Sequence, residues 1–234
     1  MDHFKHIYAH RAAAYHRLIT PEDVDGNLLP ALERVTTFHN KHILDLGTGT
    51  GRIPLLLGNQ AAKIVGLDLH AAMLRENRGQ RDQAGGRWEL LQGDMRALPL
   101  PTAWAEVITA GWSIGHLTGW YPDPDIWHTQ IGRILAEMHR VATPGGALII
   151  IETLTTGSLE PVPPSPALAD YYAWLEQEWG FARQEIRTDY QFESVEEAVA
   201  QTEFFFGQEL TTTIREQGWS RLPEWTGVWG KQTQ

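Results

Sequence analysis

From residue 41 the chain alternates short apolar runs with amphipathic stretches. Ile43-Leu44-Asp45-Leu46 is followed by Ile53 to Leu57, then Ile64-Val65-Gly66-Leu67, then Ala71 to Arg78. Runs this short, separated by helix-length amphipathic segments, predict βαβ units and a parallel sheet. Further strands are predicted at Trp88 to Gln92, Glu106 to Ala110 and Ala147 to Thr153. A helix is predicted from about Ile126 to Val141, ended by Thr143-Pro144-Gly145-Gly146.

Outside this stretch the pattern is less regular. Helical patches at Tyr8 to Leu18 and Asn27 to Thr37, separated by Thr20-Pro21-Glu22-Asp23, predict an N-terminal helical cap. Thr155 to Pro166 holds four prolines and predicts a loop. Beyond it the pattern predicts a helix over Ala167 to Trp179 and a strand over Ala182 to Phe192. A helix from Ser194 to about Gln217 follows, with Val195, Val199, Phe206, Leu210 and Ile214 on its apolar face, and a last strand over Trp225 to Trp229. Too few residues follow the prolines for a second core. One domain over 1–234 is expected: a cap over 1–40, a binding core over 41–153, and the rest of the sheet with lid or insert helices over 154–234.

Composition narrows the class. Hydrophobic residues at 42% and charged residues at 21% are ordinary for a globular protein, and 234 residues can bury a sizeable core. The absence of cysteine excludes disulfides, thiolate metal sites and cysteine nucleophiles. Met1 to His10 is polar, and no run of 18 apolar residues occurs, so a cytoplasmic protein without a membrane partner is expected. The net charge of −10 is uneven: residues 151–234 hold 5 Lys/Arg against 14 Asp/Glu. So acidic a half repels phosphate backbones, and nucleic acid is not an expected partner.

The chemistry concentrates at Asp45-Leu46-Gly47-Thr48-Gly49-Thr50-Gly51-Arg52, which follows a strand and precedes a helix. Glycines there allow a tight turn and bring a ligand close to backbone N–H groups. A nicotinamide fingerprint has glycine at the first, third and sixth positions, whereas the sixth here is Arg52. A phosphate-binding P-loop has Lys then Ser or Thr after its last glycine, and Arg52-Ile53 stand there instead. Seventeen residues after Gly51, Asp68 ends the run Val65-Gly66-Leu67, where a carboxylate can accept hydrogen bonds from both ribose hydroxyls. Leu90-Leu91-Gln92 leads similarly into Gly93-Asp94-Met95, and Asp94 reads equally as a turn residue.

The loop resembles motif I of class I, Rossmann-like S-adenosylmethionine-dependent methyltransferases of the small-molecule type. Asp68 and Asp94 fall at that family's ribose and adenine positions, and Leu135 to Val141 running into Pro144-Gly145-Gly146 resembles its helix leading to the fifth strand. The resemblance covers about residues 41–153. It implies a doubly wound α/β fold, with a mostly parallel seven-stranded sheet and a reversed last strand. It implies S-adenosylmethionine as cofactor, held by Asp45, Gly47, Thr48, Gly49, Gly51, Asp68, Leu69, Asp94, Met95, Gly111 and Trp112. The family's fourth strand usually opens with Asp, and Glu106 stands there in this chain. Tyr8 and Tyr15 resemble the aromatics of family caps that close over the sulfonium, although plain packing also accounts for them.

Two other classes compete with this reading. Gly111-Trp112-Ser113-Ile114-Gly115 matches the nucleophile elbow of α/β-hydrolases, but no histidine lies beyond His139, where that fold places its base. A protein that binds the cofactor without transferring a methyl group is the second. If methyl transfer occurs, the expected mechanism is in-line attack on the sulfonium methyl by a small-molecule acceptor. The amide-methylating signature of polymer-modifying members is missing after the fourth strand, where Ala110-Gly111-Trp112-Ser113 stands. Trp112, Trp120 and Tyr121 are expected to wall the acceptor pocket, with Trp127, Trp174 and Trp179 as packing residues. His116 is the candidate base and Tyr121 a second catalytic candidate. Metal is not expected, because the histidines are scattered, and a monomer or homodimer is the expected state.

Overall fold

The computed structural model describes residues 2–58 and 60–234. Helices α1 (His3–His10), α2 (Ala12–Ile19) and α3 (Leu28–Glu33) precede β1 (His42–Leu46), α4 (Arg52–Leu57), β2 (Lys63–Asp68), α5 (Ala71–Gln83), β3 (Glu89–Gln92) and β4 (Ala105–Gly111). Then come α6 (His116–Trp120), α7 (Pro124–Val141), β5 (Ala142–Thr156), α8 (Pro166–Gln177), β6 (Ala182–Arg187), β7 (Tyr190–Gln191), α9 (Val195–Phe206), α10 (Gln208–Gln217), β8 (Arg221–Leu222) and β9 (Glu224–Gln232).

Seven strands form one sheet in the order β3-β2-β1-β4-β5-β9-β6, with β9 antiparallel to both its neighbours and the other pairs parallel. This is the α/β sheet with a reversed last strand that the motif resemblance implied. Both faces of its central strands are buried. Leu44, Ile108, Leu148 and Ile150 face the side covered by α7 and α8. Ile43, Val107, Ile149 and Ile151 face the side that holds Leu28 and Leu32 of α3 and Ile53 and Leu57 of α4. Alternation at a period of two, with apolar residues on both faces, is what a doubly covered sheet requires. The strand order reverses between β1 and β4, and their carboxyl ends open the crevice in which ligands of such sheets lie.

Several boundaries differ from the sequence reading. The first predicted helix is two helices broken at Arg11, whose backbone lies at φ −130° and ψ 30°. The long C-terminal helix breaks at Gly207, where φ +83° ends α9 in a conformation that favours glycine. The seven-residue gap between Phe206 and the preceding apolar position adjoins that break. The strand predicted over Ala182 to Phe192 divides at Thr188-Asp189, where buried Asp189 accepts hydrogen bonds from Arg187, Arg221 and the Glu224 amide. Helix α6 was not anticipated.

Helices α1, α2 and α9, and not α3, line the space at the carboxyl ends of β4 and β5. Ile7 and Tyr8 of α1 pack with Met73 of α5, while Leu18 of α2 packs with Val199 of α9 and Ile214 of α10. No helix among the described residues is long and apolar enough to cross a membrane.

Candidate active site

The glycine loop turns through left-handed backbone at Gly47 (φ +64°), Gly49 (φ +52°) and Gly51 (φ +98°). A Cβ at Gly47 would lie 2.4 Å from the Ser113 Cβ, so the first turn of the loop closes directly on the segment after β4. Gly51 ends the loop, and its missing Cβ makes room for the Asn77 amide, whose Oδ1 lies 2.9 Å from where that Cβ would stand. The Thr48 side chain turns into the sheet, where the bare Gly66 accommodates it. Thr48 and Gly51 therefore shape the loop, and Gly47 and Gly49 line the cavity above it.

That cavity has a volume of about 140 Å³ and brings together most of the expected cofactor residues: Gly47, Gly49, Asp68, Leu69, Asp94, Met95, Gly111 and Trp112. Asp68 is fixed from two sides, its Oδ2 accepting the Gly49 N–H at 2.9 Å and its Oδ1 the His70 N–H at 2.7 Å. Each oxygen keeps a second acceptor site for a ligand hydroxyl. Burial raises the Asp68 carboxyl above its ordinary value, against the lowering effect of those amides.

Asp45 does not reach the cavity wall. It is buried beneath the loop, where its Oδ1 accepts from the Thr109 hydroxyl at 2.7 Å and burial raises its carboxyl to about 6. Its Oδ2 has no hydrogen-bond partner among the described residues. Asp94 reaches the cavity, but Arg96 already holds its carboxylate through Nε at 3.0 Å and Nη2 at 2.6 Å, which lowers its pKa. Arg96 also donates to the Tyr121 hydroxyl at 3.2 Å, which ties Tyr121 to the small cavity.

A second, larger cavity of about 730 Å³ lies beside the first, toward the end of β5 and under α9 and α10. The two share a wall made by Tyr8, Tyr15, Trp112, His116 and Trp120. Trp112 stands at φ +49°, strained for a non-glycine residue, and its ring carries the Arg52 guanidinium at 3.9 Å. Arg52 in turn pairs with buried Glu22 at 2.7 Å, which couples the helical cap to the end of the glycine loop. Trp127 is fully buried, with Trp174 against it at 5.9 Å and Trp179 against Trp174 at 5.7 Å, as packing residues are.

His116 opens α6 at the shared wall. Its Nε2 lies 2.8 Å from the Tyr8 hydroxyl and its ring stacks on Trp120 at 5.5 Å. Burial lowers its pKa to about 4, so the ring is neutral throughout the physiological range. A base at this position needs a ring that titrates near neutrality, and nothing in the local sequence reports the burial that prevents it. Glu152, in β5 one residue past its last pairing with β4, was missed, although in Leu148-Ile149-Ile150-Ile151-Glu152 an apolar run leads into an acid, as the run before Asp68 does.

Ser113 lacks the partners of a hydrolytic nucleophile. Its Oγ donates to the Leu46 carbonyl at 3.3 Å, and His116 is engaged with Tyr8 instead. Ser113→Ala is therefore expected to keep ligand affinity at the glycine loop within about twofold, since one long hydrogen bond contributes about 0.5 kcal/mol. An activated-ester assay on parent and variant checks this, with no burst release expected from either.

Comparison with known proteins agrees with this geometry. Residues 44–150 match a family described as a methyltransferase domain. The chain is 32% identical over 114 residues to a demethylmenaquinone methyltransferase of Thermus thermophilus, which covers 48% of this chain and 47% of that protein. It is 29% identical over 154 residues to a malonyl-[acyl-carrier protein] O-methyltransferase of Yersinia pestis, covering 64% of this chain and 52% of the relative. The chain thus spans about half the length of the curated relatives it matches. Among solved structures, a SAM-dependent methyltransferase from Aquifex aeolicus superposes with a TM-score of 0.53 at 18% identity, covering 86% of this chain and 87% of that one. The YcgJ protein of Bacillus subtilis gives 0.56 at 16% identity, covering 90% and 99%.

Proposed function

We propose, from the premise that residues 44–150 form a methyltransferase domain of the class I fold, that this chain transfers a methyl group from S-adenosylmethionine to a small-molecule acceptor. The observation that carries the proposal is the pair of adjoining cavities. One is built on the glycine loop and Asp68, the other is roomy and aromatic, and five side chains form their common wall. Bound in the first, the cofactor supplies an electrophilic methyl group on a sulfonium.

The chain's residues fit such a ligand. Gly47 and Gly49 lack the Cβ atoms that would fill the cradle, and Asp68 has acceptor sites free for two hydroxyls. Leu69, Met95 and the Asp94–Arg96 pair wall the end away from the large cavity. Tyr8, Tyr15, Trp112 and Trp120 exclude water from the junction and hold the acceptor in line, a positional effect that by itself accounts for a large part of such a reaction's barrier. His116, neutral, holds the Tyr8 hydroxyl in place and serves as a positioning residue.

The test is formation of S-adenosylhomocysteine from S-adenosylmethionine in the presence of a small-molecule library. Product dependent on one compound supports the proposal, and methylation of bulk RNA, DNA or protein in preference to every compound contradicts it. In the same assay His116→Ala is expected to lower turnover about tenfold or more without changing cofactor affinity. The pH–rate profile of the parent is expected to lack a limb near pH 6.5, because deprotonation of His116 is already complete well below that value. A histidine-dependent limb near 6.5 would restore His116 as an ordinary base.

A further inference from the structure

The larger cavity has a definite chemical character. Phe4, Tyr8, Trp112, Trp120, Tyr172 and Phe205 present aromatic surface to it. Four carboxylates also line it, Asp2, Glu22, Glu152 and Glu209, against one cationic side chain, Arg52, which Glu22 already neutralises. Asp2 and Glu209 lie at the exposed rim. Glu152 is 5% exposed, lies in the wall, and has no ion-pair partner among the described residues.

We infer that this cavity takes an amine, its protonated nitrogen paired with Glu152 and its apolar body lying against the rings. The inference rests on the reading of the large cavity as the acceptor site. Glu152 Oε1 accepts the Gly115 N–H at 2.8 Å, which fixes the carboxyl between β5 and α6. Gly115 leaves room for the second oxygen, which lies 3.0 Å from where a Cβ at 115 would stand. Tying Gly115 to β5 requires only a neutral acceptor, so the tie alone does not explain an acid in so dry a place. Rings and a desolvated carboxylate together favour a cation, which gains both the ion pair and the ring quadrupoles.

The neighbouring titratable groups leave the charge to Glu152. Tyr8 on α1 and Tyr171 and Tyr172 on α8 are raised above the usual phenol value by burial, and His116 on α6 is lowered to about 4, so all four are neutral near pH 7. Burial without a counter-ion raises Glu152 to about 8. A bound ammonium is the missing counter-ion, and its arrival near pH 7 displaces the proton from Glu152 to solvent.

The experiment titrates the full chain calorimetrically with 2-phenylethylamine, 2-phenylethanol and 3-phenylpropanoic acid near pH 7, in two buffers of different ionisation enthalpy, with and without S-adenosylhomocysteine. The amine is expected to bind at least tenfold more tightly than the alcohol, the acid more weakly than either, and amine binding to release close to one proton. Glu152→Gln keeps the acceptor for Gly115, and it is expected to lose the proton release and the tenfold preference while binding the alcohol as the parent does. Absence of amine binding, equal or tighter binding of the alcohol or acid, or an unchanged preference in Glu152→Gln overturns the inference. If the variant does not fold, the ligand series on the parent decides alone. A parent that binds S-adenosylhomocysteine without preferring the amine overturns only this inference. One that prefers the amine but does not bind S-adenosylhomocysteine overturns the methyltransferase reading instead.

Discussion

Gly47→Ala is expected to weaken S-adenosylhomocysteine binding by two orders of magnitude or more and to lower the melting temperature by roughly 5–15 °C. Its backbone sits at φ +64°, where an L side chain costs about 1–2 kcal/mol. The new Cβ would stand 2.4 Å from the Ser113 Cβ and 2.9 Å from its Oγ. Ser113 cannot retreat easily, because the preceding Trp112 N–H donates to the Ile151 carbonyl at 2.6 Å and its own Oγ to Leu46. Overpacking of this kind adds about 1–3 kcal/mol. The loop escapes the clash only by moving, and its amides then leave the positions a ligand uses. Adding Ser113→Gly removes the opposing Cβ and is expected to recover more than half of the loss in melting temperature, leaving the left-handed strain. Calorimetry on the parent, the single and the double variant checks the argument. A single variant with parental melting temperature and affinity would mean that the loop yields freely.

Asp68→Ala is expected to lower cofactor affinity ten- to a hundredfold while the chain stays folded, about 1.5–3 kcal/mol for charge-assisted hydrogen bonds. The carboxylate does two things: it orders the loop through the Gly49 amide, and it presents remaining acceptor sites to the cavity. Asp68→Asn keeps one carbonyl acceptor but turns an amino group toward an N–H, so it is expected to recover little. The sign with pH follows from the raised carboxyl. The acceptor form is complete at high pH and is lost as pH falls through the raised value, so parental affinity declines on acidification sooner than an exposed aspartate would allow. In Asp68→Ala that decline is absent. Equal affinity and equal pH dependence in parent and variant would reassign Asp68 to holding the turn alone.

What was legible in the sequence is what local stereochemistry dictates. Gly47, Gly49 and Gly51 declare a left-handed turn, Asp68 declares itself as an acid ending an apolar strand, and alternating runs declare a doubly covered sheet. What was not legible depends on distant segments. The large cavity takes its wall from Arg52 and from residues 2–22, 112–120, 152–172 and 190–213, and no spacing within any one of these segments announces the others. One exception is local: Asp94 stands two residues from Arg96, and whether the two side chains close on each other is decided by rotamers that the sequence does not report. His116 looked like an ordinary histidine because its burial comes from Phe4 and Tyr8 of α1, more than a hundred residues away in sequence. Glu152 did carry a local signal, an acid directly after an apolar run as at Asp68, although its strand continues beyond it.

The central claim is that the glycine loop with Asp68 holds S-adenosylmethionine and not a nicotinamide dinucleotide. Calorimetric titration of the purified chain with S-adenosylmethionine, S-adenosylhomocysteine and NAD tests it most directly. Saturable one-to-one binding of the first two, with a melting temperature that climbs as ligand concentration rises and no response to NAD, is the predicted result. Absence of S-adenosylmethionine binding, or NAD bound as tightly, contradicts it.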